Sequence, residues 1–179
     1  SRMTLPRCPW AEGDPLLARY HDEEWGAPVA TDAAHLERLS LEVFQAGLSW
    51  RTILNKRAAF RRAFARFSPK KVAAFKEPDI RRLLGDAGIV RHRGKIEATI
   101  GNARRLIALS KANGSFARWL GSLPPGLKAL QAVFRQEFRF MGAEIAKSYL
   151  ESVGKVPIRH HPRCWRAGKQ GLEPRGGTR

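Results

Sequence analysis

Glu42 is the residue whose setting most directly suggests chemistry. It stands in an apolar stretch between Leu41 and Val43, and Gln45 and Trp50 follow soon after it. A carboxylate, an amide and a large aromatic side chain together suit a pocket for a flat, polar or cationic ring. The alternative is that Glu42 lies at the edge of a helix face with its carboxylate in water. Spacing alone favours that alternative, because glutamate is rarely buried unless it is paired.

Two cysteines and two histidines form a second group that could do chemistry. Cys8 and His21 stand near one end of the sequence, and His160 and Cys164 stand near the other. His160 and Cys164 have a spacing that zinc-binding pairs commonly use, and two Cys with two His would complete a tetrahedral structural zinc site. Because the two pairs are far apart in the chain, spacing alone favours two unrelated surface pairs.

A helix must position Glu42. Apolar residues recur at three- and four-residue spacing through this stretch, which places them on one helix face; they are Leu36, Leu39, Val43 and Ala46. Asp32 is a suitable N-cap, and Gly47 is a stop signal. The sequence therefore predicts an amphipathic helix that begins at Asp32 and carries Glu42 toward Trp50.

The rest of the chain also has helical periodicity. No stretch alternates with period two over the length of a strand, so we predict an all-α fold of about eight helices. Near the C-terminus we predict a helical hairpin, with its turn at 137–142 and its second helix over 143–153. Gly142 would let backbone amides approach a phosphate at the start of that helix. We predict one folded unit over 7–164, as a single body or two packed helical lobes, and a basic, disordered tail over 165–179.

Charge indicates the class of partner. The chain has 33 Lys and Arg against 16 Asp and Glu, giving a formal net charge of +17. Such an excess favours a polyanion, with nucleic acid ahead of an anionic membrane surface. No apolar run has the length of a membrane span, and no signal peptide is visible, so we expect a cytoplasmic location. We also expect a monomer. Two cysteines in a reduced compartment suggest free thiols or metal ligands.

Three long motifs carry a resemblance to a known family. They are RCPWAEGDPLLARYHDEEWGAP, LSLEVFQAGLSWRTILNKRAAFRRAF and LLGDAGIVRHRGKIEATIGNARRL. Together they closely resemble the DNA-3-methyladenine glycosylase I family from about Arg7 to Leu109, and the resemblance resumes more weakly from Phe138 to Cys164. It implies a helix-hairpin-helix glycosylase fold in which one structural zinc ion per chain joins the N- and C-terminal segments.

The resemblance also implies roles for individual residues. Four match the family's zinc ligands, with His160 preferred to His161: Cys8, His21, His160 and Cys164. Glu42 matches the glutamate that hydrogen-bonds the excised base and is our candidate catalytic residue. Four more match base-pocket residues or aromatics of the same region, namely Tyr20, Trp50, Trp10 and Trp25. We add Gln45 as a base-binding candidate for its amide close to Glu42. The hairpin motif implies DNA contacts at Arg139, Gly142 and Lys147.

The implied function is a base-excision repair glycosylase of the bacterial cytoplasm. It would flip N3-methyladenine out of double-stranded DNA and hydrolyse its glycosidic bond, without lyase activity. No acid occurs between Glu151 and Glu173, where the wider superfamily often uses an aspartate, so we assign no classical general base. The alternative is a zinc-stabilised module that recognises DNA or its lesions without cutting. A protein of the membrane surface is a more distant alternative.

The sequence departs from the family pattern at three places. Leu17 stands where the family commonly has tyrosine, and the segment between Trp119 and the hairpin is shorter. Glu137 and Phe138 replace the usual Gly-Phe pair, and a carboxylate at Glu137 should repel phosphate. These differences bear on the strength of DNA binding and on substrate range.

Overall fold

A computed structural model describes residues 4–169 of the chain. Within that range it has nine α-helices and no strand, which confirms the all-α prediction. The helices are α1 (Pro15–Glu23), α2 (Asp32–Gln45), α3 (Trp50–Ala63), α4 (Pro69–Ala73), α5 (Glu77–Leu84), α6 (Arg93–Asn113), α7 (Phe116–Ser122), α8 (Leu127–Glu137) and α9 (Ala143–Ser152). The predicted hairpin is α8, a short turn and α9.

The chain divides into two compact units. The central unit is Ala30–Tyr149, and the terminal unit joins Ser1–Val29 to Leu150–Arg179. In the central unit, α6 packs against α2, α4, α5 and α7. The helix begins after His92, whose side chain accepts a hydrogen bond from the backbone amide of Lys95. It ends at Gly114, whose φ of 92° is accessible to glycine at little cost.

The start of α2 differs from the prediction. Thr31, not Asp32, is the N-cap, and its hydroxyl accepts from the amide of Ala34. The carboxylate of Asp32 instead accepts hydrogen bonds from the Ser110 hydroxyl and from the Phe116 amide. Asp32 therefore ties the start of α2 to the end of α6 and to the first turn of α7, which periodicity cannot reveal.

Two groups of aromatic rings fill the core of the central unit. One surrounds Phe44 of α2, whose ring centroid lies 4.8 Å from that of Phe60 and 5.9 Å from that of Phe64. The other joins Phe116 and Trp119 to Phe134 and Phe138. Fully burying a Phe side chain contributes roughly 1.5–3 kcal/mol, so these rings stabilise the core of the central unit.

The terminal unit brings the two ends of the chain together. Its first helix, α1, is capped by Asp14, which accepts from the amides of Leu16 and Leu17. After α9 the chain turns at Gly154, where a Cβ atom would lie 2.5 Å from the carbonyl oxygen of Gly26. With a φ of 75°, Gly154 allows a close backbone approach that an L side chain would block.

The predicted tail divides at the limit of the described residues. Trp165 and Arg166 are placed, and Arg166 is almost fully buried. The remainder of the predicted tail, 170–179, lies outside the described residues. Among the helices in 4–169, none combines the length and apolarity needed to cross a membrane.

Candidate functional site

Glu42 lies on α2 and is only 6% exposed. Its neighbours Leu41 and Val43 are also buried, as is Phe44, so α2 is enclosed on most sides at this turn. The solvent-exposed alternative for Glu42 is therefore wrong. A carboxylate withdrawn from water attracts a polar or cationic group more strongly than an exposed one does, which makes Glu42 a candidate for recognition of such a ligand.

A short loop follows Glu42 and leads to Trp50. Gln45 ends α2 and is half-buried, and Gly47 adopts the left-handed conformation with a φ of 85°. Ser49 then caps α3 by accepting from the amide of Thr52, and Trp50 is the first residue of that helix. Glu42 and Gln45 thus lie on α2, and Trp50 lies at the start of α3. The turn between the two helices runs from the C-cap Ala46 to the N-cap Ser49.

Three aromatic residues predicted to bind a base lie together in the terminal unit. The ring of Trp10 is edge-on to that of Trp25, with centroids 5.1 Å apart, and lies 6.3 Å from that of Tyr20. Tyr20 is buried, Trp25 is half-buried and Trp10 is 39% exposed. A partly exposed tryptophan beside further aromatic rings offers apolar surface that a flat ligand could cover.

The four predicted metal ligands converge in the terminal unit. Their ligand atoms all lie within 4.8 Å of one another: Cys8 Sγ, His21 Nε2, His160 Nδ1 and Cys164 Sγ. His160 Nδ1 is 3.4 Å from Cys8 Sγ and 3.6 Å from Cys164 Sγ, and His21 Nε2 is 3.4 Å from Cys164 Sγ. Tetrahedral bonds of about 2.3 Å to sulfur and 2.0–2.1 Å to nitrogen would place S and N about 3.6 Å apart. The group therefore fits one tetrahedral metal ion.

The protonation of these ligands also suits a cation. Burial lowers the pKa of His160 to about 4 and lowers that of His21, so both imidazoles are neutral near pH 7. Burial raises the pKa of the Cys8 thiol, although the hydrogen bond from the His161 amide to its sulfur opposes that rise. A bound cation would offset the cost of a buried thiolate.

Asp22 holds His21 in the orientation that a metal would need. Its carboxylate lies 2.8 Å from His21 Nδ1, which leaves Nε2 directed at Cys164. Burial raises the pKa of Asp22, but hydrogen bonds from Arg7, His21 and Trp165 outweigh burial and lower it to about 2. Asp22 is therefore ionised at neutral pH, and a carboxylate behind a ligating histidine fixes the tautomer and the ring.

The hairpin turn is fixed by a buried asparagine. Asn102 of α6 accepts from the Arg139 amide at 2.8 Å and donates to the Arg139 carbonyl at 3.2 Å. Arg139, Gly142 and Lys147 are all exposed, as a surface that contacts a polyanion requires. The carboxylate of Glu137 forms an ion pair with Arg105, so the negative charge expected to repel phosphate is compensated.

Several residues of these sites were not predicted. Asp22 bonds to His21, Trp165 donates to the Asp22 carboxylate, and Arg166 donates to the carbonyl oxygens of His21 and Trp25. The adjacency of Asp22 to His21 was the one sequence signal for this support. No sequence pattern distinguished Lys95 or Asn102, because their burial depends on which helices pack against α6.

Comparisons with known proteins show the family to which the chain belongs and agree with its fold. A family model described as methyladenine glycosylase matches residues 10–134. The DNA-3-methyladenine glycosylase 1 of Escherichia coli is 39% identical over 172 residues, which cover 85% of this chain and 92% of that protein.

Two solved structures are also similar. A crystal structure of 3-methyladenine DNA glycosylase I has a TM-score of 0.82 and 37% identity, covering 90% of this chain and all of that one. A tyrosine-to-phenylalanine variant of 3-methyladenine DNA glycosylase I, in complex with 3-methyladenine, has a TM-score of 0.82 and 32% identity, covering 92% of this chain and 99% of that one.

Proposed function

Because this chain belongs to the methyladenine glycosylase family, we propose that it removes 3-methyladenine from double-stranded DNA by hydrolysing the bond between the base and the sugar. The observation that carries this proposal is the match along most of the chain to a named glycosylase, together with the fold shared with a structure that binds 3-methyladenine. The protein is accordingly a DNA-repair hydrolase acting on N-glycosyl bonds.

Glu42 is the proposed catalytic residue. N3-methyladenine is a cationic, electron-poor ring, so a carboxylate withdrawn from water attracts it strongly. The same positive charge makes the base a good leaving group, and the enzyme needs mainly to flip it, bind it and admit water. Flipping costs a few kcal/mol, and less for a damaged base. We assign no general base. The proposed role of Glu42 is electrostatic, because its carboxylate attracts the positive charge of the bound base.

Five further residues are proposed to bind the base. Trp50 supplies an aromatic face, Gln45 an amide and Tyr20 a polar contact, while Trp10 and Trp25 contribute rings of the same aromatic group. An electron-poor cationic ring gains from such faces. Cation–π attraction contributes roughly 0.5–2 kcal/mol for each favourable contact, so these residues favour the methylated base over neutral adenine.

The hairpin is the proposed DNA contact. Arg139 and Lys147 would neutralise phosphates, and Gly142 would leave the first amides of α9 open to one, where the helix dipole favours an anion. The clamp from Asn102 supports this role, because it holds the Arg139 peptide in one position before DNA arrives. The chain has 33 basic and 16 acidic residues, and this excess also supports DNA as the partner. Lys and Arg that neutralise phosphates release counterions from the DNA, which favours binding.

We propose that the metal is one structural zinc ion, held by Cys8, His21, His160 and Cys164. Two thiolates and two imidazoles in a closed tetrahedral set are the donors of structural zinc sites. When bound, the ion contributes folding free energy and no step of base removal. It holds the first described residues of the chain to the segment around Cys164, within the terminal unit.

The expected setting of the enzyme follows from its substrate. A single chain carries every residue assigned above, so we propose a monomer. The relative from Escherichia coli is bacterial, and bacterial DNA lies in the cytoplasm, where we place this protein.

Replacing Asp22 with asparagine should weaken zinc binding by about 10- to 100-fold, because the uncharged amide no longer fixes the ligating tautomer of His21. Competition against a chromophoric chelator measures the affinity. Glu23→Gln on the same helix is the control, since Glu23 lies outside the metal group. Equal zinc affinity of the Asp22→Asn protein and the wild type would contradict this role.

The absence of lyase activity is tested on the DNA itself. Duplex DNA treated with a methylating agent should acquire abasic sites when incubated with the protein, and its strands should break only after alkali is added. Strand breaks that form without alkali would indicate a covalent amine intermediate and would overturn the monofunctional assignment.

A further inference from the structure

Lys95 is a buried cation to which the proposed reaction assigns no role. It lies in the first turn of α6 and is only 8% exposed. Its Nζ donates a hydrogen bond to the carbonyl oxygen of Ala46 at 3.1 Å. Burial lowers the pKa of Lys95, and the described residues supply no carboxylate partner. Because lysine is rarely buried without such a partner, the burial of Lys95 needs an explanation.

Ala46 lies at a critical point of the candidate site. It is the C-cap of α2, one turn beyond Glu42 and directly after Gln45. Its ψ of 117° takes the chain out of the helix and into the loop that ends at Trp50. The last carbonyls of a helix lack intrahelical partners and carry a partial negative charge, so an ammonium group there is both a hydrogen-bond donor and a favourable charge.

The loop beyond Ala46 has little other support. Residues 46–49 are exposed, and Gly47 provides a flexible point in the left-handed region. Hydrogen bonds at each end are local, from the Leu48 amide to the Gln45 carbonyl and from the Thr52 amide to the Ser49 hydroxyl. Among the hydrogen bonds of residues 4–169, that from Lys95 to the Ala46 carbonyl oxygen is the long-range one that joins the start of this loop to the core helix α6.

We propose that Lys95 is a positioning residue for base excision. Its ammonium group fixes the end of α2 and the loop after it, and thereby sets Gln45 and Trp50 relative to Glu42. This inference rests on the proposed function, and it adds a buried residue to which no contact with the base or with DNA is assigned. Small displacements of reacting groups are costly, since an error of about 1 Å can lower a rate by roughly 100-fold.

Lys95→Met tests the proposal, because methionine keeps much of the side-chain length and removes the donor and the charge. We expect its single-turnover rate of 3-methyladenine release to fall about tenfold or more and its Kd for free 3-methyladenine to rise. Lys95→Arg keeps a charged donor and should recover part of both. Amide hydrogen exchange at Leu48 and Thr52 should quicken in Lys95→Met, while exchange in the middle of α6 stays as in the wild type.

Two controls separate positioning from stability and from surface charge. Ile96→Val removes buried volume at the next position of α6 and should leave the rate of release per folded molecule unchanged. Lys111→Met removes a charge from the exposed end of the same helix and should leave both rate and exchange unchanged.

Different outcomes test the positioning role of Lys95 and the proposed function. Wild-type rate and wild-type loop exchange in Lys95→Met would overturn the positioning role, and so would a loss no greater per folded molecule than that of Ile96→Val. If the wild type releases no base, the proposed function fails, and the exchange at Leu48 and Thr52 still decides whether Lys95 orders the loop. Should Lys95→Met not fold, Lys95→Gln takes its place, since glutamine keeps a neutral donor.

Discussion

Glu42→Gln is expected to lower the single-turnover rate of 3-methyladenine release by roughly 100-fold, the loss typical of removing one preorganised electrostatic contact. Glutamine has almost the same shape as glutamate, but it does not carry the negative charge that attracts the cationic base. The rate is measured with enzyme in excess over methylated duplex DNA, so that product release does not mask the chemical step.

Stability separates this effect from unfolding. Because glutamine keeps the size of the side chain and its hydrogen-bonding capacity, the free energy of unfolding should stay within about 1 kcal/mol of the wild type. Glu37→Gln is the matched control, because Glu37 lies on the same helix and pairs with the half-exposed Arg61. Full activity in Glu42→Gln, or an equal loss in Glu37→Gln, would contradict the assigned role.

His160→Ala is expected to cost the protein its zinc. Three remaining ligands leave an open position in a site that needs four, so metal content after dialysis should fall from about one per chain to less than half. Zinc contributes on the order of 10 kcal/mol to the folding of small zinc domains, so the terminal unit should lose much of its protection from amide exchange. The central unit, 30–149, has its own aromatic core and should remain protected.

His161→Ala is the control for this substitution. His161 is adjacent in sequence, but its side chain is exposed and its Nδ1 accepts from the Arg163 amide instead of joining the metal group. We expect one zinc per chain and unchanged exchange in His161→Ala. Loss of zinc from His161→Ala with retention in His160→Ala would reverse the ligand assignment, and full zinc content in both would contradict it.

Periodicity and turn residues predicted most of the local structure. Helical spacing predicted α2, and the second hairpin helix predicted over 143–153 agrees closely with α9. These signals are local, because a helix and its caps depend on residues within a few positions of one another. The prediction failed where a side chain acts at long range, as with Asp32, which bonds α6 and α7 instead of capping α2.

The candidate sites were only partly visible for the same reason. Spacing alone favoured unrelated pairs for Cys8, His21, His160 and Cys164, and the family resemblance was needed to join them. The burial of Glu42 also depends on tertiary packing, which one sequence does not display. In the sequence, Lys95 is one of 33 basic residues, and nothing there distinguishes it. Only the structure shows the hydrogen bond from its Nζ to the Ala46 carbonyl oxygen.

Identification of the released base is the most direct test of the proposed function. Methylated duplex DNA is incubated with the wild-type protein, and the soluble fraction is resolved by chromatography and mass spectrometry. We predict free 3-methyladenine in an amount that matches the abasic sites left in the DNA. Salt-dependent binding to the duplex with no free 3-methyladenine would contradict the account, and would indicate a zinc-stabilised DNA-binding module that has the glycosylase fold without its chemistry.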